Sequence, residues 1–433
     1  MEYIPIAILL VLLLLGVPVA YSLTVAGILG ITMVSDWSAA FSMMALIPHR
    51  IIATYVLISI PMFLFFGYIA EQTGIITGTF DAARRWMGRL PAGLGIATTS
   101  AAGVFAAASG SSISSCVIFG SLAVPEMRKA GYSKSISLGT VTSAGLLAST
   151  IPPSLTLILY GMLAETSIIK LFTAGILPGL LQMLVIMLTL LVLFVLSRDE
   201  FPSGKDVLPS SWREKFLSLV GVWPLLAVAV AILASIYLGV ATVTESAAAG
   251  VVVTLIIVTA QRKLNTALLW NAARKTAETT AMILLILVGG LVFSTYIAMT
   301  SIADEAVNLV SALPLSATGV LLMLIPVFLI LGCLLDGASI LVLTIPLLLP
   351  IAAYYKIDLI LLGIYLTFCI ELGALTPPVG MNVFAVKGAV PDASLAEIFR
   401  SVVPFFLSLT ALLVVIVLVP EIVTWLPDML NQK

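Results

Sequence analysis

Charge is what this sequence has least of. Only 9% of its 433 residues are Asp, Glu, Lys or Arg, against about a quarter in soluble domains, while 61% are apolar. With a mean hydropathy of +1.21, a soluble globule is excluded. Imidazole is almost missing too, since His49 is the single histidine, and it stands beside Arg50 at an expected outer edge, a surface role. No P-loop pattern is present, so the chain does not read as an ATPase. A formal charge of −1 leaves no basic footprint for nucleic acid. Cys116, Cys333 and Cys369 lack metal-ligand spacing and read as small buried apolar side chains. An intramembrane serine hydrolase would need a partnered nucleophile, but no histidine lies near Ser111-Ser112 and there is no G-x-S-x-G elbow.

What the chain has is long apolar runs. A span needs about 20 apolar residues, and roughly ten or more such runs follow one another with short polar stretches between them. Runs such as 219–234 and 404–420 are nearly continuous rather than alternating, which excludes an outer-membrane barrel. The first run lacks a basic leader and an evident cleavage site and reads as a retained helix. The expected fold class is therefore an all-α polytopic membrane protein.

Sixteen of the twenty basic residues fall in five clusters: Arg84, Arg85 and Arg89; Arg128, Lys129 and Lys134; Arg198, Lys205, Arg213 and Lys215; Arg262, Lys263, Arg274 and Lys275; Lys387 and Arg400. The positive-inside rule makes these regions cytoplasmic and leaves Arg50, Lys170, Lys356 and Lys433 for the other face. The apolar segment 91–126 then has cytoplasmic flanks at both ends. Its centre is Ser109-Gly110-Ser111-Ser112, and arms of about 16 residues reach only about 24 Å. A re-entrant helical hairpin fits better than two ordinary short spans. The next run, 137–161, is interrupted at Pro152-Pro153, which removes two backbone donors and breaks the helix. Broken backbone at that depth needs protein or a watery cavity around it.

These landmarks recur. Gly16 and Ala26-Gly27 return as Gly239 and Ala249-Gly250, the tip Ser109 to Ser112 as Asp336-Gly337-Ala338-Ser339, and Pro152-Pro153 as Pro377-Pro378, at offsets of 223, 227 and 225. The second hairpin, 315–349, has Asp304-Glu305 and Lys356 with Asp358 at its flanks instead of basic clusters, so it is expected to open outward. Two oppositely facing halves, each with a re-entrant hairpin and a broken helix, are the inverted-repeat architecture of secondary transporters. The expected organisation is scaffold helices at 1–72, then arm, hairpin and broken helix at 73–164. A helix and cytoplasmic linker follow at 165–217, second scaffold helices at 218–300, second arm, hairpin and broken helix at 301–390, and a C-terminal helix at 391–433.

Hard cations want oxygen ligands. Ser109 and Ser112 at the first tip, facing carbonyls at Gly145 and Ala148, and Asp336 and Gly337 at the second tip, facing Gly373 and Thr376, predict two quasi-equivalent sodium sites. Close packing of small residues is the competing explanation for the serines and glycines. Helix N-termini starting after each interruption favour an anion between the tips, placed against Ser111, Pro152, Ser339, Pro377 and Asn382. Asp336 is read as shaping the tip or the cation site, with a proton relay or a simple helix cap as alternatives. For Glu371 a polar protein interface is an equal alternative.

The runs 103–126 and 145–160, with Leu375-Thr376-Pro377-Pro378-Val379-Gly380-Met381-Asn382, resemble the large membrane subunit of TRAP (tripartite ATP-independent periplasmic) transporters, the DctM-like family, over essentially the whole chain. This resemblance implies an elevator-type transporter in a bacterial cytoplasmic (inner) membrane. It implies no catalytic activity and no bound cofactor, with sodium as the coupling ion at Ser109, Ser112, Gly145, Ala148, Gly337, Gly373 and Thr376. It further implies a small DctQ-like membrane subunit, a DctP-like periplasmic substrate-binding protein and a small organic anion, carboxylate or sulfonate, as cargo. Asp-Gly-Ala-Ser against Ser-Gly-Ser-Ser sets the two sites apart. A proton-coupled transporter and a passive anion channel are the alternatives.

Overall fold

The computed structural model describes residues 2–202 and 211–431, so Lys205 and Lys433 lie outside the described residues. Every regular element in it is helical. Among the described residues seven helices are, by length and composition, apolar enough to cross a membrane, or up to nine if each of two bent pairs is one span. This is fewer than the roughly ten or more runs expected. Several apolar runs fold as shorter helices, Ile4–Leu14, Val19–Val34 and Leu359–Gly373 among them. Their ends are set by the Gly16 to Pro18 stop, where Gly16 has φ +78°, and by Pro377-Pro378.

Hairpin one is made of helices Gly93–Ser109 and Ser112–Lys129. Its open end is closed by the Leu94 N–H, which donates to the Tyr132 hydroxyl at 3.1 Å. The turn is sharp because Gly110 takes φ +60°. A Cβ there would sit 2.9 Å from the carbonyl oxygen of Pro153, so only glycine lets this tip reach the first break. Ser111 then caps the second arm, its hydroxyl accepting from the Ser114 N–H. Hairpin two, Ala317–Leu334 and Gly337–Tyr355, repeats the device with Asp336 as the cap. Its second arm runs past the expected end at residue 349 and through Pro350. Membrane helices tolerate interior proline where neighbours satisfy the freed backbone groups.

Each hairpin is followed by a broken helix. The first comprises Lys134–Gly145 with Leu147–Thr150, then Leu155–Leu163 after Pro152-Pro153, and it bends by 41°. The second comprises Leu359–Gly373 and Met381–Ala389, on either side of Pro377-Pro378. Both Pro-Pro bonds are cis. Arm helices Ile75–Met87 and Ile302–Ser311 precede the hairpins, and helix Ile168–Leu196 follows the first half. The expected single C-terminal helix is instead two, Leu395–Leu418 and Glu421–Asn431, separated at Val419-Pro420, where the proline cannot continue the backbone ladder.

The halves pack reciprocally. Helix 19–34 lies on 266–298 as its counterpart 243–260 lies on 59–72. Helix 134–145 lies on 395–418 as 359–373 lies on 168–196, and 112–129 lies on 381–389 as 337–355 lies on 155–163. Contacts that exchange in this way are what a two-fold relation between duplicated units requires.

Polar contacts gather the predicted cytoplasmic clusters together. Arg84 pairs with Glu126 at 3.2 Å, Arg128 with Asp392 at 2.6 Å and Lys134 with Glu397 at 3.1 Å. The indole of Trp86 donates to the Lys215 carbonyl, the Ser133 hydroxyl donates to Glu200, and Lys263 Nζ donates to the Thr73 carbonyl. At the base of hairpin two the neighbours are acidic, with Tyr3 donating to Glu305 and Ser301 to Glu2.

Candidate functional site

The first tip and the first break touch through Gly110 and Pro153. Gly145 packs against Cys116 and the Ser112 carbonyl, so Ser112 and Gly145, named from the sequence as facing one another, are neighbours. Ala148 is fully buried on the short helix before the break. Pro152 is buried as well, under Gly175 of helix 168–196, and does not open towards the surface.

The second tip meets the second break through backbone as well. A Cβ on Gly332 would lie 2.8 Å from the Cα of Gly373, so two backbones are in contact there. The Gly380 N–H donates to the Cys333 carbonyl at 3.3 Å. The Thr376 hydroxyl donates to the Gly373 carbonyl at 2.8 Å. Gly337 lies beside Ile370. Asp336 accepts from the Ser339 N–H at 3.0 Å and also from the Ser339 hydroxyl, which makes its first role that of a helix cap. Pro377 is exposed, unlike Pro152.

Between these elements sits a residue that the sequence had left undecided. Glu371, 4% exposed, accepts from the Ser112 hydroxyl at 3.1 Å and from the Asn382 amide at 3.2 Å, with Ser149 beside it. An acid inside an apolar run was a signal, because such a residue must be partnered. Its reach to a tip 259 positions away was not legible.

Several hydroxyl and amide oxygens near the tips and breaks are buried without a hydrogen-bond partner among the described residues: Ser115 Oγ, Thr150 Oγ1 and Asn382 Oδ1. Four helices begin after the interruptions, at Ser112, Leu155, Gly337 and Met381, and their first N–H groups are anion-favouring donors. Ser109 and Ser111 line a small cavity with Leu64, Gly67 and Tyr68. Beside it a cleft of about 320 Å³ between Tyr68, Glu71, Ser114 and Lys275 leads towards the basic end. Among the described residues no three His, Cys, Asp or Glu side chains group to hold a metal; the oxygen atoms at the tips and breaks belong to hydroxyls, the Asn382 amide, backbone carbonyls and the carboxylates of Asp336 and Glu371.

Comparison with known proteins places this geometry. The family profile described as "Tripartite ATP-independent periplasmic transporter, DctM component" matches residues 6–422. The chain is 32% identical to the C4-dicarboxylate TRAP transporter large permease protein DctM of Pseudomonas aeruginosa, over 88% of each chain. It is 29% identical to the sialic acid TRAP transporter permease protein SiaT of Haemophilus influenzae, over 99% of this chain and 68% of the relative. The fold is similar to the crystal structure of the Alcanivorax borkumensis YdaH transporter, with a TM-score of 0.57 over 84% of each chain at 13% identity. Duplicated hairpins, paired helix breaks and this match along nearly its full length all agree: the chain is a polytopic membrane transporter subunit and belongs to the DctM family of large permeases of TRAP transporters.

Proposed function

We propose that this chain moves a small organic anion, a carboxylate or sulfonate, across a bacterial inner membrane together with sodium. The cargo is handed over by a periplasmic binding protein, and a small membrane subunit completes the complex. Arms, hairpins and broken helices (73–164 and 301–390) form the moving body, and helices of 1–72 and 218–300 form the fixed scaffold, in an elevator-type cycle with both hairpins re-entrant. The observation that supports this most is the convergence of two hairpin tips on two helix breaks, where buried hydroxyl oxygens and four helix N-termini supply cation ligands and anion donors in one region. The relatives' names, for C4-dicarboxylate and sialic acid, fit an anionic cargo.

Reconstitution with both partners in liposomes tests the reading. An inward sodium gradient is expected to drive accumulation of the anion above its outside concentration. Equal accumulation on a proton gradient without sodium would replace the coupling ion. Uptake that only equilibrates would make the protein a channel.

A further inference from the structure

We propose that Glu371 is a positioning residue that fastens the tip of hairpin one to the second helix break. It would turn the Ser112 oxygen towards the ion, an inference that rests on the sodium reading above. The carboxylate belongs to the second half, yet one of its oxygens takes the Ser112 hydroxyl of the first half, and the other takes the Asn382 amide from across the break. Among the described residues no Lys, Arg or His pairs with it. A buried carboxylate without a cation is costly, so its burial here needs a reason beyond filling space.

The duplication supplies one. At the offset of 225 that relates the Pro-Pro pairs, Glu371 and Asn382 correspond to Leu146 and Leu157, both fully buried. The first break therefore stands on two leucines, and a broken helix of this kind does not require the acid and amide. At the tip offset of 227, Ser112 corresponds to Ser339 and Ser109 to Asp336. Ser339 donates its hydroxyl proton to Asp336 of its own tip. Ser112 has no acid in its own tip and donates to Glu371 instead. Each tip serine thus donates its O–H hydrogen bond to a carboxylate, which leaves its lone pairs free to point away from that carboxylate and ligate a cation. One carboxylate is local and the other is borrowed from the opposite half.

The test is a double-mutant cycle read on the sodium half-saturation of uptake by the reconstituted complex. Glu371→Ala and Ser112→Ala are each expected to raise it about tenfold, the worth of one hydrogen bond to a charged group, with a smaller change in maximal rate. The double variant should be no worse than either single one. Glu371→Gln should raise the half-saturation only about threefold, because its carbonyl still accepts from Ser112, though as a neutral and weaker partner, and a turned Asn382 amide accepts its N–H through the otherwise unpartnered Oδ1. Additive losses, or an unchanged half-saturation in Glu371→Ala, would overturn the proposal. Should Glu371→Ala not fold, Ser112→Ala with and without Glu371→Gln gives the same decision, since the loss that Gln causes alone must vanish once Ser112 is gone, and a loss of the same size in both backgrounds overturns the proposal. The fastening is also read without transport, by thiol labelling of Ser114→Cys in a background with the three native cysteines replaced by alanine. Glu371→Ala should label several-fold faster than wild type and Glu371→Gln should not. Equal rates in all three would refute the fastening even if sodium dependence stood, and sodium-independent uptake with the expected labelling would refute only the coupling ion.

Discussion

The tip of hairpin one contains no acid and is capped by Ser111, whereas the tip of hairpin two carries Asp336, which caps its own helix and holds Ser339. The break behind the first tip is buried beneath helix 168–196, while Pro377 and Pro378 behind the second are exposed. Arm one ends in Arg84 and Arg85 and arm two begins with Asp304 and Glu305. What both halves keep is the machinery of shape, meaning a capped tip, a close approach between tip and break, and a Pro-Pro interruption. What they exchange is the chemistry hung on that frame. Duplication fixed the backbone solution, and the two candidate ion sites diverged within it.

The contrast breaks first at the close approaches. Gly373 corresponds to Ala148 in the first half at the offset of 225, and only the first half has room for that methyl group. Gly373→Val should destabilise the protein by about 3 kcal/mol, because it must push apart a pair of backbones rather than shift a side chain. Ala148→Gly should cost about 1–2 kcal/mol, from helix entropy together with the loss of one buried methyl group. Thermal unfolding of the purified variants compares the two, and equal losses would mean that the halves are packed alike.

A smaller effect separates the caps. Asp336→Ala should remove about 1 kcal/mol and Asp336→Asn much less, since asparagine caps nearly as well. Ser111→Ala should fall at or below the Asp336→Ala value. If sodium half-saturation shifts in Asp336→Asn while stability does not, Asp336 serves the ion as well as the helix.

The smallest effect concerns the basic end. A hydrogen bond from Arg128, reinforced by its charge and that of Lys134, holds the Asp392 carboxyl below the usual carboxylate range. A group held lower in the folded state stabilises above its unfolded pKa, and that contribution fades as pH falls through the lowered folded value. Asp392→Asn should therefore flatten the acid side of the stability profile slightly. Salt should narrow the difference, because the pair is exposed.

Much of this frame was legible in the sequence. Gly110 between serines, the two Pro-Pro pairs and the clustered arginines each carry a local physical meaning, and local meaning survives without coordinates. Three things were not legible. The length of hairpin two was not, because proline at position 350 is a weaker stop where neighbouring helices satisfy the backbone. The division of the last helix was not, because a proline near the chain's end looks like any other interior proline in an apolar run. The bond from Glu371 to Ser112 joins different halves, and no periodicity within either half encodes it.

The claim that two like halves face opposite ways is tested most directly by substituted-cysteine labelling in intact cells with a reagent that does not cross the membrane. The native cysteines are buried, and Arg89, Lys129, Ser316 and Lys356 stand at the open ends of the two hairpins. Arg89→Cys and Lys129→Cys should stay protected, and Ser316→Cys and Lys356→Cys should label from outside. Labelling of both hairpin ends from the same face, or of only one of Arg89→Cys and Lys129→Cys, would contradict the account.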